Sequence, residues 1–110
     1  MEQDMKKCIQ LCTECKSMCQ SHLYQHCLEV GGEHVSPEHV KIMTDCYQAC
    51  GVAADSMERK SSFYKKQCDI CAQICESCAN SCEKMGDHEM KECAHKNREC
   101  ADACRSMAGK

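Results

Sequence analysis

Sulfur-bearing and apolar positions recur at intervals of three and four residues along most of the chain, the spacing that holds side chains on one face of an α-helix. In the first such segment Met5, Cys8, Cys12, Cys15, Cys19, His22 and His26 form a continuous seam of this kind. A second carries His39, Met43, Cys46, Cys50, Ala53 or Ala54, and Met57. The third repeats the device with Cys68, Cys71, Cys75, Cys78, Cys82 and Met85, and the fourth with Met90, Cys93, Asn97, Cys100, Cys104 and Met107. Cysteine therefore occupies the inward stripe of all four predicted helices. Cys27 alone falls one position beyond the pattern, which places it toward a mouth of the bundle or solvent.

The breaks between these segments are chemically legible. The first helix is predicted from about Glu2 to Glu29, with Gly31 and Gly32 ending it. Ser36 before Pro37 reads as an N-cap followed by proline at the first helical position, and that helix runs to about Glu58. Ser61 or Ser62 is the expected cap of the third, which ends at Met85 before Gly86, a natural left-handed terminator. Asp87 is the expected cap of the fourth, which fades toward Gly109. No stretch alternates with period two, so the fold class is all-α. Short connections favour antiparallel neighbours and hence an up-down-up-down four-helix bundle with a cysteine-lined core, one domain over residues 1–110.

Composition changes the meaning of that core. The chain has 15 Cys and 8 Met but only 12 Val, Ile, Leu and Phe together, so sulfur replaces hydrocarbon inside. Cysteine can serve as a small apolar filler. Leu, Ile or Ala would bury area without inviting oxidation, however, so a need for volume alone does not explain thiols on four inward stripes. The net charge of −3, with basic residues spread along the chain, offers no stripe that tracks phosphates and argues against a nucleic-acid partner. No apolar run reaches the roughly 18–20 residues of a membrane span. The opening Met-Glu-Gln-Asp-Met-Lys-Lys has neither an apolar signal core nor paired arginines, so a cytoplasmic protein is expected. Thiols there are kept reduced, and metal binding outranks disulfides.

Soft thiolate and thioether ligands select copper(I). The i, i+4 pairs Cys8/Cys12, Cys15/Cys19, Cys46/Cys50, Cys71/Cys75, Cys78/Cys82 and Cys100/Cys104 set two sulfurs one turn apart inside helices, whereas structural zinc is commonly presented by turns. Four thiolates on one zinc carry a net −2 that is costly to bury, while one copper(I) per thiolate is neutral. If each sulfur bridges two ions and each ion takes two sulfurs, capacity is about one copper per cysteine, on the order of 15 per chain. Thiolates form as metal displaces protons, which couples affinity to pH. The run Cys68-x2-Cys71-x3-Cys75-x2-Cys78 lacks the spacing and the proline of a ferredoxin cluster loop. No catalytic triad, paired carboxylates or phosphate loop stands out, so a non-enzymatic binding protein is expected. The alternative from another class is a zinc-binding or thiol redox helical protein.

Four Cys-rich helices with repeated C-x3-C pairs and Met/His ends resemble the bacterial copper storage proteins, a resemblance that covers nearly the whole chain. Without a twin-arginine leader it resembles the cytosolic branch. The resemblance implies homotetramers of bundles, cores holding many copper(I) ions, and loading through one end. Copper ions, further copies of the chain, and copper donor or acceptor proteins are then the expected partners, in metal homeostasis. This sequence departs from the pattern in its second helix, with only Cys46 and Cys50, and at Asn97 in the fourth.

In an antiparallel bundle one end gathers Met5, Met57 and Met107, and the other His22, His26, His39, Met43, Met85 and Met90. Two readings of the second end stand side by side. On one, imidazoles and thioethers are weak relay ligands that hand copper inward, so that His22, His26, Met43, Met85, Met90 and Cys27 join the thiol set; on the other, the methionines are plugs and the histidines are solvated. His34, His88 and His95 have no seam register and are expected at the solvated surface. Tyr24, Tyr47, Tyr64, Phe63, Ile9, Ile42, Ile70 and Ile74 flank the seam, toward the core or a neighbouring subunit.

Overall fold

The computed structural model describes residues 2–110. Helix α1 (Glu2–His22) runs into a π-helical turn, Leu23–Cys27, and then into the short α2 (Leu28–Val30), making one continuous rod. A 3-10 turn over Gly32–Val35 leads to α3 (Pro37–Glu58), α4 (Tyr64–Met85) and α5 (His88–Ala108). Glu2 and Asp4 in the first turn of α1 complement the helix dipole. The Ser36 hydroxyl accepts from the His39 amide at 3.2 Å, with Pro37 at the first turn as expected. α4 ends at Gly86, whose φ of 83° is left-handed.

Two of the expected caps are replaced. α4 begins after Phe63 with no side-chain cap. The chain reaches it through a Schellman turn in which Ser61 N donates to Ser56 O at 2.9 Å and Lys60 N to Met57 O at 3.1 Å. Lys60 holds the left-handed position at φ 51°, where glycine is usual. Asp87 does stand at the N-cap of α5, but its carboxylate makes no capping bond and is held by histidines instead.

The rod, α3, α4 and α5 pack as a ring in which each touches the next and α5 closes on α1. The result is an antiparallel four-helix bundle measuring 42 × 18 × 18 Å. Alanines beside the seam, including Ala53, Ala72, Ala79 and Ala101, are buried and let the helices approach. Ile9, Ile42, Ile74, Tyr47 and Tyr64 pack against the core, whereas Ile70, Tyr24 and Phe63 are exposed.

The π turn corrects the expectation for Cys27. In a regular α-helix Cys27 would be rotated about 80° from Cys19. The wider turn absorbs one extra residue, so Cys19, Leu23 and Cys27 line up and all are buried. His22 and His26 are correspondingly left at the edge of the seam, with side chains 18% and 20% exposed. All fifteen cysteines are buried, rather than fourteen.

Candidate metal centre

Helical spacing fixes each thiol's face, and ring packing then brings thiols from different helices together. Nearest the Met5/Met57/Met107 end, Cys8, Cys68 and Cys104 form a group whose sulfurs lie within 4.8 Å of one another. Next come Cys12, Cys71, Cys100 and Cys104, then Cys15, Cys50, Cys75 and Cys100, then Cys15, Cys19 and Cys46, on the same criterion. Successive groups share corners at Cys104, Cys100 and Cys15, so the sulfurs form a connected column rather than separate pockets. Sγ–Sγ separations along it run from 3.4 Å for Cys12–Cys104 to 4.0 Å for Cys50–Cys100. These are contacts between thiols, well beyond the roughly 2.05 Å of a disulfide.

Asn97 interrupts the column on α5 and is itself fully buried. Its Oδ1 accepts from Cys46 at 2.8 Å and Cys15 at 3.3 Å, and its Nδ2 donates to Cys93 O at 2.8 Å and lies 3.3 Å from Cys19 Sγ. The amide is thus satisfied on both sides and orients three thiols, a role the spacing of α5 does not disclose.

Beyond Asn97 the chemistry becomes mixed. Met43 Sδ accepts from Cys78 at 3.5 Å and Cys82 at 3.6 Å. Cys27 lies 3.8 Å from Met90 Sδ and 3.7 Å from His39 Nε2, while His39 Nδ1 meets the Ser81 hydroxyl at 2.7 Å. Met43 and Met90 are fully buried; Met85 is half-buried at the edge. His39 sits at the inner wall of a surface cleft of about 200 Å3 that Glu33, Ser36, Ser81 and Met85 also line. His88 and His95 are exposed on α5, as expected, but His34 is not at the solvated surface. The 3-10 turn folds it back so that its side chain is 13% exposed and Nε2 lies 2.8 Å from Asp87 Oδ1.

Electrostatics follow from crowding. Hydrogen bonds from Cys15 and Cys46 pull the Cys19 thiol well down, and the same bonding pushes Cys46 up. A thiolate is thus stabilised by neighbouring S–H groups that are themselves kept protonated. Burial pushes Cys27, at the mixed end, up to about 11. Burial likewise lowers His39, holding it neutral and able to accept. A core of this kind does not fill with bare thiolates; cations must replace protons as they bind.

Fold and site together define a helical bundle whose interior is a column of soft sulfur ligands, closed at one end by methionines and bordered at the other by imidazoles. The chain belongs to the copper storage protein family, whose sequence profile matches residues 1–109. It is 35% identical over 108 residues to the cysteine-rich protein YhjQ of Bacillus subtilis strain 168, covering 98% of this chain and 99% of that one. A crystal structure of a Nitrosospira multiformis protein superposes with a TM-score of 0.95 at 38% identity, over 99% of this chain and 98% of that one. The Cu(I)-bound copper storage protein BsCsp3 superposes with a TM-score of 0.88 at 32% identity, over 96% and 98% of the two chains. Among the described residues no helix is long and apolar enough to cross a membrane.

Proposed function

We propose that this chain is a non-enzymatic cytosolic store and buffer of copper(I), holding many ions on the thiolates of its column. The observation that carries the reading is the sharing of corners. Sulfurs about 2.3 Å from a common four-coordinate ion lie about 3.8 Å apart, so the spacings alone admit zinc as well as copper. Cys15, Cys100 and Cys104, however, each belong to two groups at once, as bridging thiolates in a multi-ion cluster do. The four groups hold eleven thiols, so one divalent ion in each would leave a net −3 in a buried core, whereas one copper(I) per thiolate leaves none. Family membership and the Cu(I)-bound relative support the same ion.

Loading is assigned to the mixed end. The cleft at His39 opens there, and His39 stands 3.7 Å from the buried thiol of Cys27. Neutral imidazole and the thioethers of Met43 and Met90 bind copper(I) more weakly than thiolate and so pass it inward, with His22, His26 and Met85 at the rim. The chain is further expected to work as a homotetramer and to exchange copper with donor or acceptor proteins.

Anaerobic titration with copper(I) against a chelator of known affinity tests the reading. About one copper per cysteine, on the order of 15 per chain, with helicity retained, is the expected result. Saturation at one or two ions, or preferential filling by zinc in a matched competition, would overturn it.

A further inference from the structure

Outside the sulfur column, the described residues hold one other group of convergent ligand atoms: His26, His34 and Asp87, all within 4.8 Å of one another. They come from three separate places, the π turn, the 3-10 turn and the N-cap of α5. Asp87 bridges the two rings, with Oδ2 at 2.6 Å from His26 Nε2 and Oδ1 at 2.8 Å from His34 Nε2. The imidazoles meet edge to face with centroids 5.4 Å apart. Glu89 Oε1 stands 4.0 Å from the same His26 nitrogen.

We infer that His26, His34 and Asp87 form a second metal site, for a divalent ion of the zinc type, distinct in chemistry from the thiol column. Two imidazoles and a carboxylate are a nitrogen and oxygen donor set that suits borderline divalent ions, whereas copper(I) prefers the sulfurs close by. In a tetrahedral zinc site with ligands at about 2.0–2.2 Å, donor atoms lie about 3.4 Å apart. The Asp87 contacts, at 2.6 and 2.8 Å, would lengthen by about 0.6–0.8 Å to admit the ion, with Glu89 or water in the fourth position.

A second observation separates this cluster from chance. Asp87 occupies the N-cap of α5, where a carboxylate ordinarily bonds the first free amides, yet it forgoes that bond and turns to the two histidines. Both irregular turns serve the same convergence: the π turn sets His26 at the rim, and the 3-10 turn folds His34 onto it. An ion here would staple three segments at the lip of the bundle. The inference goes beyond the copper reading and does not depend on it.

The test uses the whole reduced protein with its thiols first filled by silver(I), a soft monovalent ion, so that added zinc meets no free thiolate. Calorimetric titration is expected to show a single zinc per chain. The paired substitutions His34→Ala and Asp87→Asn should weaken it at least about tenfold while leaving silver capacity and helicity unchanged. Long-range proton–nitrogen spectra of the imidazoles give an arm that needs no variant: His26 and His34 should shift on adding zinc, and the exposed His88 and His95 should not. Absence of a zinc event, binding indifferent to the substitutions, or equal shifts at His88 and His95 would each overturn the site.

Discussion

The two halves of the core are built from different currencies. From Cys8, Cys68 and Cys104 to Cys15, Cys50 and Cys75 the interior is small thiols in mutual contact, with little hydrocarbon between them. From Leu23 and Met43 to Cys27, His39 and Met90 it is large side chains, with thiols touching thioethers and an imidazole. The difference teaches that stability and ligand capacity need not reside in the same residues. A buried methionine removes far more apolar area from water than a thiol does, whereas thiols sharing several neighbours hold most of the binding potential.

Substitution should therefore dissociate the two properties. Met43 is fully buried and receives two thiol contacts, so Met43→Ala should leave a cavity and cost the metal-free protein about 3 kcal/mol. Copper capacity should fall by about one ion or not at all. Urea unfolding of the reduced apoprotein reads the first quantity and chelator competition the second. Cys104→Ala should do the reverse, costing about 1 kcal/mol in the apoprotein because little volume is lost. Cys104 belongs to two sulfur groups and lies 3.7 Å from Cys8 and 3.4 Å from Cys12, so about two coppers should go with it. If Cys104→Ala proved the more destabilising in the apoprotein, the division between the halves would fail.

The same division marks how far the sequence could be read. Four helices, the Ser36–Pro37 start, the Gly86 stop and the inward stripe of thiols follow from periodicity and local backbone chemistry, which act within a few residues. Which thiols meet is a matter of how four helices are rotated in the ring, and no single helix's spacing contains it. Asn97 illustrates the point: on α5 it is a gap in a cysteine seam, but across the bundle it bonds thiols from α1 and α3. Apart from the Ser61 or Ser62 cap at the opposite end, the expectations that failed cluster at the mixed end. Cys27 is off-register on a constant 3.6-residue turn, although Leu23 continues the four-residue step from Cys19 to Cys27. His34 lay in no helical seam and so had no register to predict, and Asp87 looked like an ordinary cap because its histidine partners are distant in sequence.

The smallest expected effect tests whether the π turn is a true one-residue insertion into an otherwise regular rod. Gln25 lies on its exposed side. Removing Gln25 leaves Cys19 and the following cysteine seven residues apart, two α-turns, so an ordinary helix would bring both to the same face. The thiol should remain buried, the copper capacity should be unchanged, and the melting temperature should move by no more than about 5 °C, equivalent to about 1 kcal/mol or less. Thermal melting with a free-thiol accessibility assay measures both outcomes. If the shortened protein instead exposed that thiol or melted far lower, the π turn would be required by the packing of Leu23 against its neighbours rather than by register alone. A one-residue deletion inside α4, by contrast, would rotate Cys78 and Cys82 away from Met43, because no widened turn is present there to absorb it.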